Sequence, residues 1–128
     1  MKVRHRNITN TTSAIIIISA DRHKKNNRIV KSLLISNTYA AASTVSVYLR
    51  ALNIGKTEKQ KILGSSPGQY PERYDESFYV VKRLSIPKET SVDVFSGFSE
   101  GFIFEKKYEL VIELGDNTHA VSTIVVYE

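Results

Sequence analysis

The sequence predicts an all-β fold, an antiparallel β-sandwich of about seven to eight short strands with one long insertion. Helical periodicity is nearly absent, whereas short runs rich in β-forming residues recur between Gly, Pro, Asn and Ser. The chain has 128 residues and no cysteine, which suits a single domain spanning residues 1–128 that is stabilised by packing rather than by disulfides.

Three strands are predicted in the first half of the chain. Residues 14–19 contain four consecutive isoleucines, which is typical of a strand covered on both faces. Residues 29–37 form the next predicted strand. Residues 44–49 form the third, with Val45, Val47 and Leu49 on one face.

Four more strands are predicted in the second half. Residues 78–84 form a strand that ends before Pro87, because proline cannot donate to a β-ladder. Residues 91–95 alternate, and residues 108–114 place Leu110, Ile112 and Leu114 on one side. The Gly-Asp-Asn turn at 115–117 predicts a hairpin into a last strand at 120–127.

A long insertion is expected between the third and fourth predicted strands, at about residues 50–77. Connections beyond roughly 12 to 15 residues are usually functional or disordered. Residues 56–63 are compatible with a short helix, and the remainder carries Tyr70, Arg73 and Tyr74. Tyrosine and arginine are enriched at protein interfaces, so these three residues are predicted partner contacts.

The positive charge of the chain lies in its first quarter. Residues 1–31 hold eight Lys or Arg and one acidic residue, whereas the rest of the chain holds ten Lys or Arg and twelve acidic residues. We therefore expect a basic N-terminal arm at about residues 1–13. Arg4, Arg6, Lys24 and Lys25 are predicted contacts to an acidic partner surface. Contact with nucleic acid is an alternative that no recognised nucleic-acid-binding motif supports.

Five aromatic residues cluster between positions 95 and 108, with Gly97 and Gly101 among them. Part of this cluster is expected to close the core. The remainder, on a glycine-hinged hairpin at residues 98–104, offers Phe98 and Phe102 as an exposed anchor for another subunit.

The motifs that carry chemistry are weak in this chain. The Gly-Lys-Thr at 55–57 lacks the first glycine of a phosphate-binding loop, and the three histidines lie far apart in sequence. Glu109 and Glu113 are expected to be solvated positions of a strand, and Asp116 with His119 a solvated pair. We therefore expect no catalytic, cofactor-binding or metal-binding residues and no enzyme activity. The isoleucine run is far shorter than the roughly 20 residues that span a bilayer, so no membrane segment is predicted.

The order of these elements resembles a class of small β-sandwich virion structural proteins of tailed bacteriophages. The resemblance rests on these segments in this order: residues 29–37 (IVKSLLISN), 45–49 (VSVYL), 79–87 (YVVKRLSIP), 92–95 (VDVF), 108–110 (YEL) and 121–127 (VSTIVVY). The chain departs from that pattern in its basic start and its long insertion.

The resemblance implies a non-enzymatic protein of the virion that is assembled in the bacterial host cytoplasm. Its expected role is a capsid decoration or stabilising subunit, present as a homo-oligomer or in many copies and bound to the major capsid protein. A neck, tail or fibre-attachment adaptor bound to portal, neck or tail proteins is the alternative. A carbohydrate-binding β-sandwich module, with Tyr70 and Tyr74 as stacking residues, is a further alternative.

Overall fold

A computed structural model of the chain describes residues 1–21, 26–52 and 74–128, and side chains in these ranges except those of residue 52 and residues 74–76. These residues form nine β-strands in two antiparallel sheets, which confirms the predicted sandwich. The strands are β1 (Lys2–Thr9), β2 (Ile15–Ile18), β3 (Arg28–Asn37), β4 (Ser43–Leu52), β5 (Tyr74–Ile86), β6 (Ser91–Asp93), β7 (Phe102–Phe104), β8 (Tyr108–Leu114) and β9 (Ala120–Tyr127).

The first sheet has the order β1-β9-β3-β6, with β7 pairing the same edge of β3, and the second sheet has the order β2-β8-β4-β5. The strands therefore pair as in one long hairpin, with β1 to β4 in one arm and β5 to β9 in the other. Its two arms pair as β4 with β5, β3 with β6 and β7, β2 with β8, and β1 with β9. This long hairpin is wrapped so that β9 also pairs with β3 and β8 also pairs with β4, which completes the two sheets. This is the strand order of a jelly roll, if β6 and β7 count as one interrupted strand.

Alternation along the strands explains how the core forms between the sheets. Val45, Val47 and Leu49 of β4 are buried on one face as expected, and every second residue of β9 from Val121 to Tyr127 is buried. Leu110 and Ile112 of β8 are fully buried between the sheets. In β2, Ile17 and Ile18 are buried but Ile15 and Ile16 only partly, so this strand is not covered throughout.

A β-bulge in β3 changes which residues face the core. The register with β9 shifts between Val30 and Ser32. Before the bulge Arg28 and Val30 are buried, and after it Leu33, Ile35 and Asn37 are. An extra residue in one strand reverses the alternation beyond it, which a strict two-residue period does not anticipate.

The N-terminal segment forms a strand rather than the expected arm. β1 pairs with β9 along its whole length, from Lys2 opposite Tyr127 to Thr9 opposite Ala120. All of its residues are exposed except Ile8, which belongs to the core. The pairing with β9 orders a segment whose charged residues give little sign of a strand.

Both predicted hairpins were wrong. β8 lies in the second sheet and β9 in the first, so the turn at 115–117 connects the two sheets. β6 and β7 each pair with β3 and not with one another, so residues 98–104 do not form a hairpin. In both places the turn residues were recognised, but a turn signal does not specify which strand the chain joins afterwards.

Asn37, the last residue of β3, holds the connection from β3 in the first sheet to β4 in the second. Its side-chain amide donates to the carbonyls of Ala41 and Ile86 at 2.8 and 2.9 Å. Its oxygen accepts from the Tyr39 N–H and the Ser43 hydroxyl at 2.8 and 3.0 Å. The buried amide thus has all of its groups paired, as buried polar groups require.

Candidate interaction surfaces

Three positively charged side chains line one face of β1, and we call Lys2, Arg4 and Arg6 the basic edge. Directly opposed residues of an antiparallel pair share a face, and these three residues oppose Tyr127, Val125 and Thr123 of β9. Those β9 residues are buried, so the basic edge faces the interior side of the sandwich at its open margin. Residues two apart on a strand are about 7 Å apart, which spaces the charges evenly.

Beside the basic edge is a cavity of about 260 Å³ between β1, β2 and β9. It is lined by Arg4 and Arg6 together with apolar Ile16, Ile17 and Val125. No carboxylate among the described residues forms an ion pair with Lys2, Arg4 or Arg6. Among the described residues β1 pairs only with β9, so the predicted contacts Arg4 and Arg6 lie together on a strand whose outer edge has no partner there.

At the opposite edge of the first sheet, four phenylalanines form an aromatic cluster that runs from the core to the surface. Its members are Phe95, Phe98, Phe102 and Phe104. Phe95 stacks on Phe102 with ring centroids 4.9 Å apart, and Phe102 contacts Phe98 edge-on at 5.2 Å. Phe95 is 1% exposed and Phe98 47% exposed. Of the two predicted anchors, Phe98 is thus at the surface and Phe102 only half-buried beneath it.

Asp93 and Gly101 hold the aromatic cluster against β3. The Asp93 carboxylate accepts from the backbone N–H groups of Leu33 and Phe95 at 3.2 and 3.0 Å. Gly101 has a φ of +95°, and a Cβ there would lie 2.8 Å from Cγ2 of Ile29. The sequence pattern gives Asp93 no role and marks Gly101 as a hinge, whereas the structure places Gly101 at a close approach to β3, which glycine commonly permits.

The remaining predicted contacts are Lys24, Lys25, Tyr70, Arg73 and Tyr74, and Tyr74 is the first residue of β5. Lys24, Lys25, Tyr70 and Arg73 lie outside the described residues, as do the predicted helix at 56–63 and most of the insertion. The insertion is shorter than expected at both ends, because β4 continues to Leu52 and β5 begins at Tyr74.

A polar cleft of about 640 Å³ lies on the outer face of the second sheet, and the sequence pattern did not predict it. Its lining includes Tyr79, Lys82 and Arg83 of β5, Glu113 of β8, and Asp116 and His119 of the turn that follows β8. The signal that points to it is the apolar set Val80, Val81 and Leu84, which all contact the core although they do not follow a two-residue alternation. Such spacing requires a bulge, and a bulge redirects the side chains within it.

The bulge in β5 is supported by a specific hydrogen bond. Leu84 pairs with Val45 and Val81 with Val47, so Lys82 and Arg83 together face one residue of β4. The backbone N–H of Arg83 donates to the Ser46 hydroxyl at 2.9 Å. Arg83 has a φ of +54°, a left-handed conformation that non-glycine residues adopt at a cost.

The predicted solvation was wrong for Glu109, whereas Glu113 is partly exposed. Glu109 is buried and accepts a hydrogen bond from the Arg50 guanidinium. The side chains of Glu109 and Arg50 are 11% and 15% exposed. Glu113 accepts from the Tyr48 hydroxyl at 2.6 Å. Burial, and then the hydrogen bond to Glu113, raise the pKa of Tyr48 above its usual value.

Asp116 is exposed as expected, whereas His119 is only partly exposed. Hydrogen bonds from the backbone and hydroxyl of Thr118 lower the pKa of Asp116. His119 accepts the Thr44 N–H at Nδ1, at 3.1 Å, and packs against Tyr39 with ring centroids 5.8 Å apart. Because Nδ1 accepts, the neutral ring carries its proton on Nε2.

In the part of the chain that the structure describes, no three His, Asp or Glu side chains are grouped to hold a metal ion. The same part contains no helix with the length and apolar character needed to cross a bilayer. Comparison with protein families, curated proteins and solved structures gave no match to this chain.

Proposed function

We propose that this chain is a non-enzymatic structural protein of a tailed-bacteriophage virion, acting as a decoration or stabilising subunit of the capsid. The order of its strands resembles that protein class, and the jelly roll is an architecture found in viral capsid domains. A fold alone does not determine function, so the proposal depends on the two surfaces of the first sheet.

The observation that carries the proposal is the placement of these surfaces at opposite edges of one sheet. β1 with the basic edge is one margin, and β6 and β7 with the aromatic cluster are the other. Three strand spacings of about 4.8 Å separate the edges, so they face in different directions and one copy can contact two neighbours. Weak contacts repeated over a particle surface add up through multivalency.

Charge indicates what kind of partner the basic edge accepts. An unpaired strand edge can accept a strand from another protein. Two copies of β1 paired with each other would bring cations together, which disfavours self-pairing at this edge. We therefore propose that the basic edge pairs with an acidic strand or surface of a neighbouring virion protein.

The aromatic cluster supplies an anchor of a different kind. Phe98 is exposed but is held by Phe95 and Phe102, so it loses little side-chain freedom on binding. Preorganised aromatic side chains are frequent hot spots of protein interfaces. The expected partner surface at this edge is an apolar pocket.

A particle-binding assay tests the proposal. Purified protein is added to particles of the encoding phage that were assembled without it, and bound protein is measured after sedimentation. Arg4→Glu and Arg6→Glu each reverse one exposed charge of the basic edge, and Phe98→Ala removes the aromatic anchor. Lys88→Glu makes the same charge change at an exposed turn and is the matched control.

We expect wild type and Lys88→Glu to bind equally and each of the other variants to bind at least about tenfold more weakly. Binding by Arg4→Glu, Arg6→Glu and Phe98→Ala at the wild-type level would contradict the proposed surfaces. Failure of the wild type to bind would contradict the proposed function.

A further inference from the structure

The polar cleft has the composition of a small-molecule site rather than of an ordinary surface depression. Its lining combines a half-exposed tyrosine ring with two cations, two carboxylates and a histidine: Tyr79, Lys82, Arg83, Glu113, Asp116 and His119. Convergent polar groups beside an aromatic surface are typical of sites that bind an organic ligand. The cleft lies on the second sheet, away from the two edges described above.

The polar groups of the cleft are held in place before any ligand binds. The Tyr48 hydroxyl holds Glu113, and Thr118 holds the carboxylate of Asp116. The Thr44 N–H fixes the ring of His119 and leaves the proton on Nε2. Preorganisation of this kind reduces the entropy lost on binding.

The backbone of β5 adopts an unfavourable conformation where it supplies the two cations. Arg83 is left-handed, and the bulge turns Lys82 and Arg83 toward the outer face, where both line the cleft. Strained residues of this kind concentrate at binding sites, where the surrounding structure maintains them.

The aromatic ring of Tyr79 completes the site. Tyr79 is 51% exposed, and its ring packs against the ring of Tyr48 with centroids 5.2 Å apart. The ammonium group of Lys82 lies over the ring, 5.0 Å from its centroid. Lys82 is exposed and its side chain is flexible, so a sugar ring that stacks on Tyr79 takes the place of this ammonium group.

The charges of the cleft indicate which ligand class fits. Lys82 and Arg83 balance Glu113 and Asp116, so the cleft carries no net formal charge and does not select an anion or a cation. Carboxylates accept hydrogen bonds, whereas Lys, Arg and the His119 Nε2–H donate them. A ligand with many hydroxyl groups, which both donate and accept, and with an apolar face for the tyrosine satisfies all of these groups.

We propose that the polar cleft binds a neutral saccharide, with one sugar ring against Tyr79 and its hydroxyl groups paired with Glu113, Asp116, Arg83 and His119. This activity is independent of the proposed role in the virion, because it uses a different surface and is measured on the isolated protein.

The first test is an immobilised panel of neutral oligosaccharides ending in glucose, galactose, mannose or N-acetylglucosamine, with sialylated and sulfated glycans alongside. A neutral glycan that binds is then titrated into ¹⁵N-labelled protein. We expect the amide shifts to be confined to residues around the cleft, Ser46, Tyr79, Arg83, Glu113 and His119 among them.

Variants make the test specific to the cleft. Tyr79→Ala and Glu113→Gln are expected to weaken binding at least about tenfold, whereas Tyr79→Phe keeps the ring and retains binding. Phe98→Ala, which removes an exposed aromatic residue of the other sheet, is the control and should bind normally. The amide spectra show that each variant is folded.

The proposal is overturned if no neutral glycan binds, if only the sialylated or sulfated glycans bind, or if Glu113→Gln and a folded Tyr79→Ala protein bind as the wild type does. None of these results bears on the particle-binding assay, so the two proposals fail separately.

Discussion

At the scale of single residues, the hydroxyl of Tyr48 lies 2.6 Å from Glu113 on a face where the sequence pattern predicted solvated side chains. Removing it in Tyr48→Phe leaves the ring in place and deletes one hydrogen bond to a carboxylate. We expect the free energy of unfolding to fall by about 1 to 2 kcal/mol at pH 7, as measured by urea denaturation.

The same variant has a pH dependence with a definite sign. Because the pKa of Tyr48 is raised in the folded protein, its contribution is fully present below the unfolded value of about 10 and is lost as the pH rises above it. The stability difference between wild type and Tyr48→Phe should therefore shrink between about pH 9.5 and pH 11.5. A difference that stays constant over this range would contradict the assigned hydrogen bond.

Two glutamates provide a matched comparison of ion pairs. Glu109→Ala breaks the pair with Arg50, whose side chains are only 11% and 15% exposed, and should lower the free energy of unfolding by about 3 kcal/mol. Glu105→Ala breaks the exposed contact with Lys107 at 3.8 Å and should change the free energy of unfolding by less than about 0.5 kcal/mol. Equal effects in urea denaturation would contradict the assigned burial.

At the scale of elements, Gly101 determines how closely the loop between β6 and β7 approaches β3. Gly101→Ala places a Cβ 2.8 Å from Ile29 in a left-handed backbone, so we expect a loss of about 2 kcal/mol in thermal or urea unfolding. At Gly97, a Cβ meets nothing within 4 Å, and Gly97→Ala should be nearly neutral. A neutral Gly101→Ala would show that the loop does not pack as described.

Within the aromatic cluster, Phe102 is expected to contribute mainly to stability and Phe98 mainly to the proposed binding. Phe102→Ala removes the ring stacked on Phe95 and should lower the free energy of unfolding by about 2 to 3 kcal/mol. Phe98→Ala removes an exposed ring and should cost less than about 1 kcal/mol. Urea denaturation of the two variants measures this contrast, and a larger loss for Phe98→Ala would reverse the assigned burial.

Strand positions were predictable wherever alternation was regular. The predicted core residues of β4 and β8 stand at alternate positions and are buried, and β9 alternates along its whole length. The bulges in β3 and β5 break this alternation, which hid the buried role of Arg28 and the grouping of Lys82 with Arg83. Since a bulge depends on partner strands distant in sequence, local patterns do not reveal it.

Candidate contact residues were predictable in type but not in arrangement. Arg4, Arg6 and Phe98 were identified from charge and aromatic character, and the structure separates them onto two edges. The polar cleft combines β5, β8 and a turn, so it depends on the fold as a whole. Its carboxylates, Glu113 and Asp116, looked like ordinary surface residues in the sequence.

At the scale of the whole molecule, the jelly roll explains why these surfaces are distinct. Wrapping the long hairpin places β1 and the β6–β7 edge at the two margins of the first sheet, and leaves the outer face of the second sheet for the cleft. The proposed contacts with two neighbours and the proposed ligand site therefore use different residues.

The most direct test of the central claim, membership of the virion, is quantitative mass spectrometry of purified particles of the encoding phage. We predict that the chain is present in hundreds of copies per particle, as a subunit repeated over the capsid must be. About a dozen copies, as in a single cyclic ring, would contradict the decoration role in favour of a neck or tail adaptor. Absence of the chain from purified particles would contradict the proposed function altogether.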